Sequence, residues 1–191
     1  MHSFLLFTLL LFSVSFQPTA FQNNPENCLS LEEKKLFDLI NDYRKTKKLK
    51  PIAFSAKLTK VAQAHVHDLM ENYVADTREG CNPHSWSAKG NWAGCCYTPD
   101  HKQAKCMWAK PKEIADYPTF GYEIAYYSSD DATAQEGLDG WKKSAGHNPL
   151  LINSGMWAKV QWKAMGVALY KNYGVVWFGE TDDPSTVAVC P

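Results

Sequence analysis

Six cysteines, Cys28, Cys81, Cys95, Cys96, Cys106 and Cys190, limit what this chain of 191 residues can become. An even count at irregular spacings suits a framework of three disulfides in an oxidising compartment. Cys28 lies near the beginning of the chain and Cys190 is the penultimate residue, so one bridge is expected to tie the two ends together. The other four cluster within residues 81–106. Adjacent Cys95 and Cys96 are poorly placed to pair with each other, so each is expected to join Cys81 or Cys106, in an order left open. The competing reading of the cluster is a structural zinc site that also uses His84 and His101, but it lacks the Cys-x-x-Cys knuckle of such sites.

The beginning of the chain agrees with an exported protein. Met1-His2-Ser3 runs into the apolar stretch Phe4-Leu5-Leu6-Phe7-Thr8-Leu9-Leu10-Leu11-Phe12-Ser13-Val14, which is too short to span a bilayer and right for a signal-peptide core. Pro18-Thr19-Ala20 follows, so residues 1–20 are read as a signal peptide and residues 21–191 as one domain of ordinary size. No other stretch is apolar enough to cross a membrane, and the expected location is extracellular. Basic and acidic side chains balance at 20 each, which gives no general attraction to nucleic acid. The one basic cluster, Arg44-Lys45-Thr46-Lys47-Lys48-Leu49-Lys50, suits a solvated helix end, where cations also favour the dipole.

Hydrophobic spacing places the elements. Ser30-Leu31-Glu32-Glu33 reads as a capping box opening a helix, with Leu36, Leu39, Ile40 and Tyr43 on its inner face. Pro51-Ile52-Ala53-Phe54 is an extended connector. Ser55 caps a second helix that turns Leu58, Val61, Ala62, His65 and Leu69 inward. Residues 81–118 are dense in Cys, Trp, Pro, Gly and Asn and hold no period, so they are expected to be a long disulfide-pinned loop insertion. Residues 121–127 read as a strand, and residues 133–144 as a helix with Leu138 and Trp141 inward. Residues 164–170 and 173–179 read as a hairpin whose turn takes a positive φ at Asn172 or Gly174. Helices packed on an antiparallel sheet, an α+β class, is the expected architecture.

The histidines are the candidate functional side chains. His65 and His67 sit two apart on a helix, so they point in different directions and do not share one metal. His65, on the apolar face, reads as a core histidine with a hydrogen-bond partner. His101, beside Asp100, reads as exposed. His84, in Asn82-Pro83-His84-Ser85-Trp86, and His147, in Ser144-Ala145-Gly146-His147-Asn148, each follow a backbone-punctuating residue in polar company. There is no His-Glu-x-x-His, no Gly-x-Ser-x-Gly and no phosphate loop, and all six cysteines have structural uses.

Three segments in order resemble the CAP superfamily of cysteine-rich secretory, antigen 5 and pathogenesis-related proteins. They are Leu58-Thr59-Lys60-Val61-Ala62-Gln63-Ala64-His65 leading to His84; Gly121-Tyr122-Glu123-Ile124-Ala125; and Trp141-Lys142-Lys143-Ser144-Ala145-Gly146-His147, followed by Trp157 and Met165-Gly166-Val167-Ala168. The last block is similar to the bacterial-like members. The resemblance implies a three-layer α-β-α sandwich and a cleft built from His84, His147 and Glu123. The family's second acid would stand at Ser144, so the full set of two histidines and two acids is broken. A divalent cation such as zinc, weakly held by His84 and His147 and completed by water or Glu123, is implied. The resemblance also implies a non-enzymatic role, binding sterol or another lipid, or an extracellular protein. Trp86, Trp92, Trp108 and Trp157 are compatible with an apolar groove and equally with core packing. The alternative is a metal-assisted hydrolase or peptidase with Glu123 as its base.

Overall fold

A computed structural model of the chain describes residues 28–72, 80–183, 185–186 and 188–190. The expected signal peptide, residues 1–20, lies outside the described residues. Helix α1 (Leu31–Thr46) begins at the expected capping box, where Ser30 Oγ accepts from the Glu33 N–H and Glu33 Oε2 accepts from the Ser30 N–H at 2.7 Å. Strand β1 is only Ala53–Phe54. Helix α2 (Ala56–Glu71) is capped by Ser55 and buries Leu58, Val61, Ala62, His65 and Leu69, as their spacing predicts. The short helices α3 (Ala104–Trp108) and α4 (Lys110–Ala115) come next, then strand β2 (Gly121–Tyr127) and helix α5 (Ala134–Lys143). A one-turn helix α6 (Asn148–Leu151) and a 3₁₀ turn (Gly155–Trp157) lead to strands β3 (Ala164–Tyr170) and β4 (Tyr173–Gly179).

The four strands are ordered β1-β3-β4-β2. Pairs β3–β4 and β4–β2 are antiparallel, but β1 runs parallel to β3, so the sheet is mixed where a purely antiparallel one was expected. A two-residue strand leaves no alternating pattern in sequence, which is why its direction was not legible. Both faces are covered, and the strands are accordingly apolar on both. One face packs Leu36 and Ile40 of α1, Leu138 and Trp141 of α5, and Leu150 and Leu151 of α6 against Ile124, Met165, Val167, Val176 and Phe178. The opposite face packs α2 and Met107 of α3 against Ala164, Ala168, Val175 and Trp177. Two helical layers around a sheet give the three-layer α-β-α sandwich.

Three disulfides join Cys28–Cys190, Cys81–Cys96 and Cys95–Cys106. The first ties the ends as expected, and Cys95 and Cys96 each take one of the two outer cysteines. No thiol is left for a structural zinc site. Two expectations need correction. Residues 81–118 are not loop throughout, since α3 and α4 lie inside them and are too short to leave a period. In the β3–β4 turn the positive φ falls on Lys171, at 48°, and on neither Asn172 nor Gly174. Asn172 is used for its side chain, whose amide donates to the carbonyls of Ser128 and Asp130, while Gly174 is a paired strand residue.

Candidate functional site

Alternation along β2 turns Gly121, Glu123 and Ala125 toward α2, because Tyr122, Ile124 and Tyr126 face the other core. Glu123 stands opposite Trp177 of β4, which in turn stands opposite Gly166 of β3. The absent side chain at Gly166 lets α2 lie against the sheet, since a Cβ there would come within 2.1 Å of the Leu58 and Thr59 backbone. That close approach sets His65, nearly two turns further along α2, over Glu123.

Glu123 is 5% exposed, and both of its oxygens are taken. Oε2 lies 2.5 Å from Nδ1 of His65, and Oε1 lies 2.7 Å from Nδ1 of His84. The other nitrogen of His65, Nε2, is 3.0 Å from the Ser85 carbonyl oxygen. Burial opposes the Glu123 charge, but the attraction and hydrogen bonds of His65 and His84 outweigh it and hold the carboxyl below its ordinary value.

His84 comes from the Cys-rich insertion, and the disulfides explain how an irregular segment holds it still. Asn82 Oδ1 accepts from the His84 N–H, and the Asn82 N–H donates to the Tyr97 carbonyl. Ser85 Oγ accepts from the Tyr97 N–H at 2.8 Å, and Trp86 and Cys95 exchange both backbone hydrogen bonds. Residues 82–86 are thus laced to residues 95–97, which carry the two cysteines bridged to Cys106 and Cys81. Beneath His65, Trp86 is buried, its ring stacked at 4.0 Å and 6°.

His147 arrives from the other side of the sheet's edge, at the N-cap of α6. Its ring centroid is 6.4 Å from that of His84, with planes at 72°. Burial, and after it the His84 charge, lowers the His147 pKa, with Glu123 opposing. Ser144 accepts from the His147 N–H through Oγ and shapes the turn. His84, Glu123 and His147 therefore meet as expected, with a hydroxyl at Ser144. Among the described residues, no group of three or more His, Cys, Asp or Glu side chains is placed to hold an ion.

A family model for the cysteine-rich secretory protein family, CAP, matches residues 37–181. The chain belongs to the CAP family. None of the curated proteins compared with the chain matches it. Among solved structures, this CAP chain is similar to an extracellular protein containing an SCP domain from Bacillus anthracis str. Ames. The TM-score is 0.52 at 19% identity, over 78% of this chain and 40% of that one. It is also similar to a cysteine-rich secretory protein from Staphylococcus aureus subsp. aureus Mu50. There the TM-score is 0.50 at 16% identity, over 86% of this chain and 42% of that one. The CAP chain therefore spans about two fifths of the length of these two proteins, and at such identities the likeness shows the fold alone.

The remaining candidates fall outside the cleft. His67 is exposed, and its Nδ1 lies 3.3 Å from Oε1 of Glu71. His101 is exposed as expected, but its Nδ1 meets the Tyr97 hydroxyl at 2.8 Å, and the Tyr97 ring lies 5.2 Å from His84. Of the loop tryptophans, Trp86 is core. Trp108 and Trp157 flank Tyr122, at 5.5 and 5.0 Å, and this row continues outward to Phe120, 46% exposed. The part of the cleft that sequence reasoning missed is the link from His65 to Glu123. The signal was present: a histidine on an apolar helix face needs a polar partner, and an inward carboxylate on a strand needs one too.

Proposed function

We propose that this protein is a secreted CAP-domain binding protein, not an enzyme, whose cleft takes up one divalent cation weakly. In this reading an aromatic flank engages a sterol or other lipid, or an extracellular protein partner. One observation carries the reading: both oxygens of Glu123 are engaged by His65 and His84. A general base must reach its water, and the Glu123 side chain, already accepting from two imidazoles, is 0% exposed.

The donor set suits a weakly held ion. His84 hydrogen-bonds to a carboxylate through Nδ1, the arrangement that orients a metal-binding histidine and leaves Nε2 for the ion. The lowered pKa of His147 keeps its imidazole neutral and able to coordinate. Zinc would be held by these two nitrogens, with water completing its shell, one protein ligand short of the usual catalytic site. When bound, the ion would supply a positive charge for an anionic group. The row of Phe120, Trp108, Tyr122 and Trp157, with Met156 85% exposed beside it, supports an apolar ligand or partner. Three disulfides and the N-terminal apolar run support secretion. So does the description of the Bacillus anthracis relative as extracellular.

The test is to secrete the protein from a eukaryotic host with zinc supplied and compare its native and denatured masses. One extra zinc that His147→Ala loses, or the mass of a co-purified lipid, supports the proposal. A bare polypeptide in both spectra removes the metal and the lipid together. Peptide hydrolysis that vanishes on His84→Ala would replace the binding reading with the hydrolase.

A further inference from the structure

His65 is fully buried, and each ring nitrogen meets an atom that accepts. The Ser85 carbonyl oxygen, 3.0 Å from Nε2, has lone pairs and no hydrogen, so Nε2 carries a hydrogen and donates it. Nδ1 lies 2.5 Å from Glu123 Oε2, and a carboxyl is a stronger acid than an imidazolium, so the hydrogen of that contact rests on the nitrogen and Nδ1 donates as well. The ring also lies flat on the face of Trp86, at 4.0 Å and 6°, where an imidazole carrying both hydrogens meets the negative face of the indole. Carboxylate, carbonyl and indole face all ask the same thing of this side chain.

The consequence reaches past His65. With Oε2 pinned, the carboxylate of Glu123 cannot swing about its last torsion, and its second oxygen stays 2.7 Å from Nδ1 of His84. A neutral histidine has one N–H and one lone pair. If Nδ1 of His84 keeps the hydrogen, the lone pair stands on Nε2, the nitrogen left for the cleft.

We propose that His65 is a positioning residue of the cleft. It donates from both ring nitrogens, to Ser85 and to Glu123, and so anchors the carboxylate that selects the Nδ1–H form of His84 and reserves the Nε2 lone pair for a ligand. Its effect on zinc affinity rests on the metal reading above; its effect on the hydrogens of His84 does not.

The experiment is nitrogen-15 NMR of histidine-labelled full chain at neutral pH, paired with zinc titration, on wild type, His65→Phe and His65→Gln. Phenylalanine keeps a flat ring on Trp86 and removes both donors, while glutamine restores a donating group. In wild type, both nitrogens of His65 should carry hydrogen and His84 should be a single Nδ1–H form. In His65→Phe, His84 should divide between its two forms, and zinc affinity should fall roughly 10–100-fold. Glutamine should recover part of both. A hydrogen-free nitrogen on His65 in wild type overturns the proposal, with no variant needed. So does a single unchanged Nδ1–H form of His84 in folded His65→Phe, or in His65→Gln should the phenylalanine variant not fold. If wild type takes up no zinc, the metal reading falls, and the hydrogen positions still decide the role of His65.

Discussion

At Gly166 the molecule depends on the absence of a side chain. A Cβ would meet the Leu58 carbonyl carbon and the Thr59 nitrogen at 2.1 Å, and backbone of a packed helix cannot step aside cheaply. Gly166→Ala is expected to cost about 3 kcal/mol or more, read as a shift of the urea midpoint. Glu123 makes a second prediction at this scale. Its folded pKa lies below the unfolded value of 4.5, so it contributes stability that is present above 4.5 and lost as pH falls through the lower folded value. Glu123→Gln should therefore flatten the acid limb of stability against pH, and an acid limb equal to wild type would contradict the paired carboxylate. How far the site was legible differs residue by residue. Resemblance brought His84, Glu123 and His147 together, because no periodicity links a loop, a strand and a helix cap. His65 was correctly read as buried and partnered, but its partner lies 58 positions away, beyond any local pattern. The turn at Lys171 was misread because Asn172 was judged by its backbone tolerance, while the fold uses its amide.

Helix α1 shows how one cap side chain serves two elements. Glu33 closes the capping box with Oε2 and accepts the Leu169 N–H of β3 with Oε1 at 3.1 Å. Ser30→Ala loses one end of the box and should cost about 1 kcal/mol. Glu33→Ala also leaves a partly buried strand N–H without its acceptor and should cost about 2 kcal/mol, so the two urea midpoints should separate in that order. Equal shifts would mean that the α1–β3 link contributes nothing. Elements with a long period were legible: α1, α2, α5 and strands β2, β3 and β4 lie where their apolar spacing puts them. The pieces without one were not. β1 is two residues, α3 five and α4 six, and they are positioned by a neighbouring strand or by the nearby Cys95–Cys106 bridge.

For the whole molecule, the disulfides divide the labour. Cys28–Cys190 closes a loop of 162 positions and should stabilise the fold by about 5 kcal/mol through the unfolded chain, whereas Cys95–Cys106, spanning 11, should contribute about 3. Only the second bears on the segment that carries His84. Cys28→Ser with Cys190→Ser should thus lower the melting temperature more and leave zinc uptake intact. Cys95→Ser with Cys106→Ser should lower it less and weaken uptake. The reverse pattern would detach the cleft from the insertion. Sandwich, sheet and ends form one support for a cleft whose buried carboxylate, Glu123, already accepts from two histidines. The most direct measurement is calorimetric titration of zinc into the purified full chain, wild type beside His84→Ala, His147→Ala and the exposed control His67→Ala. One ion per chain is expected, lost in the first two variants and unchanged in the control. Zinc uptake that survives both cleft substitutions, or no uptake by wild type, would contradict it.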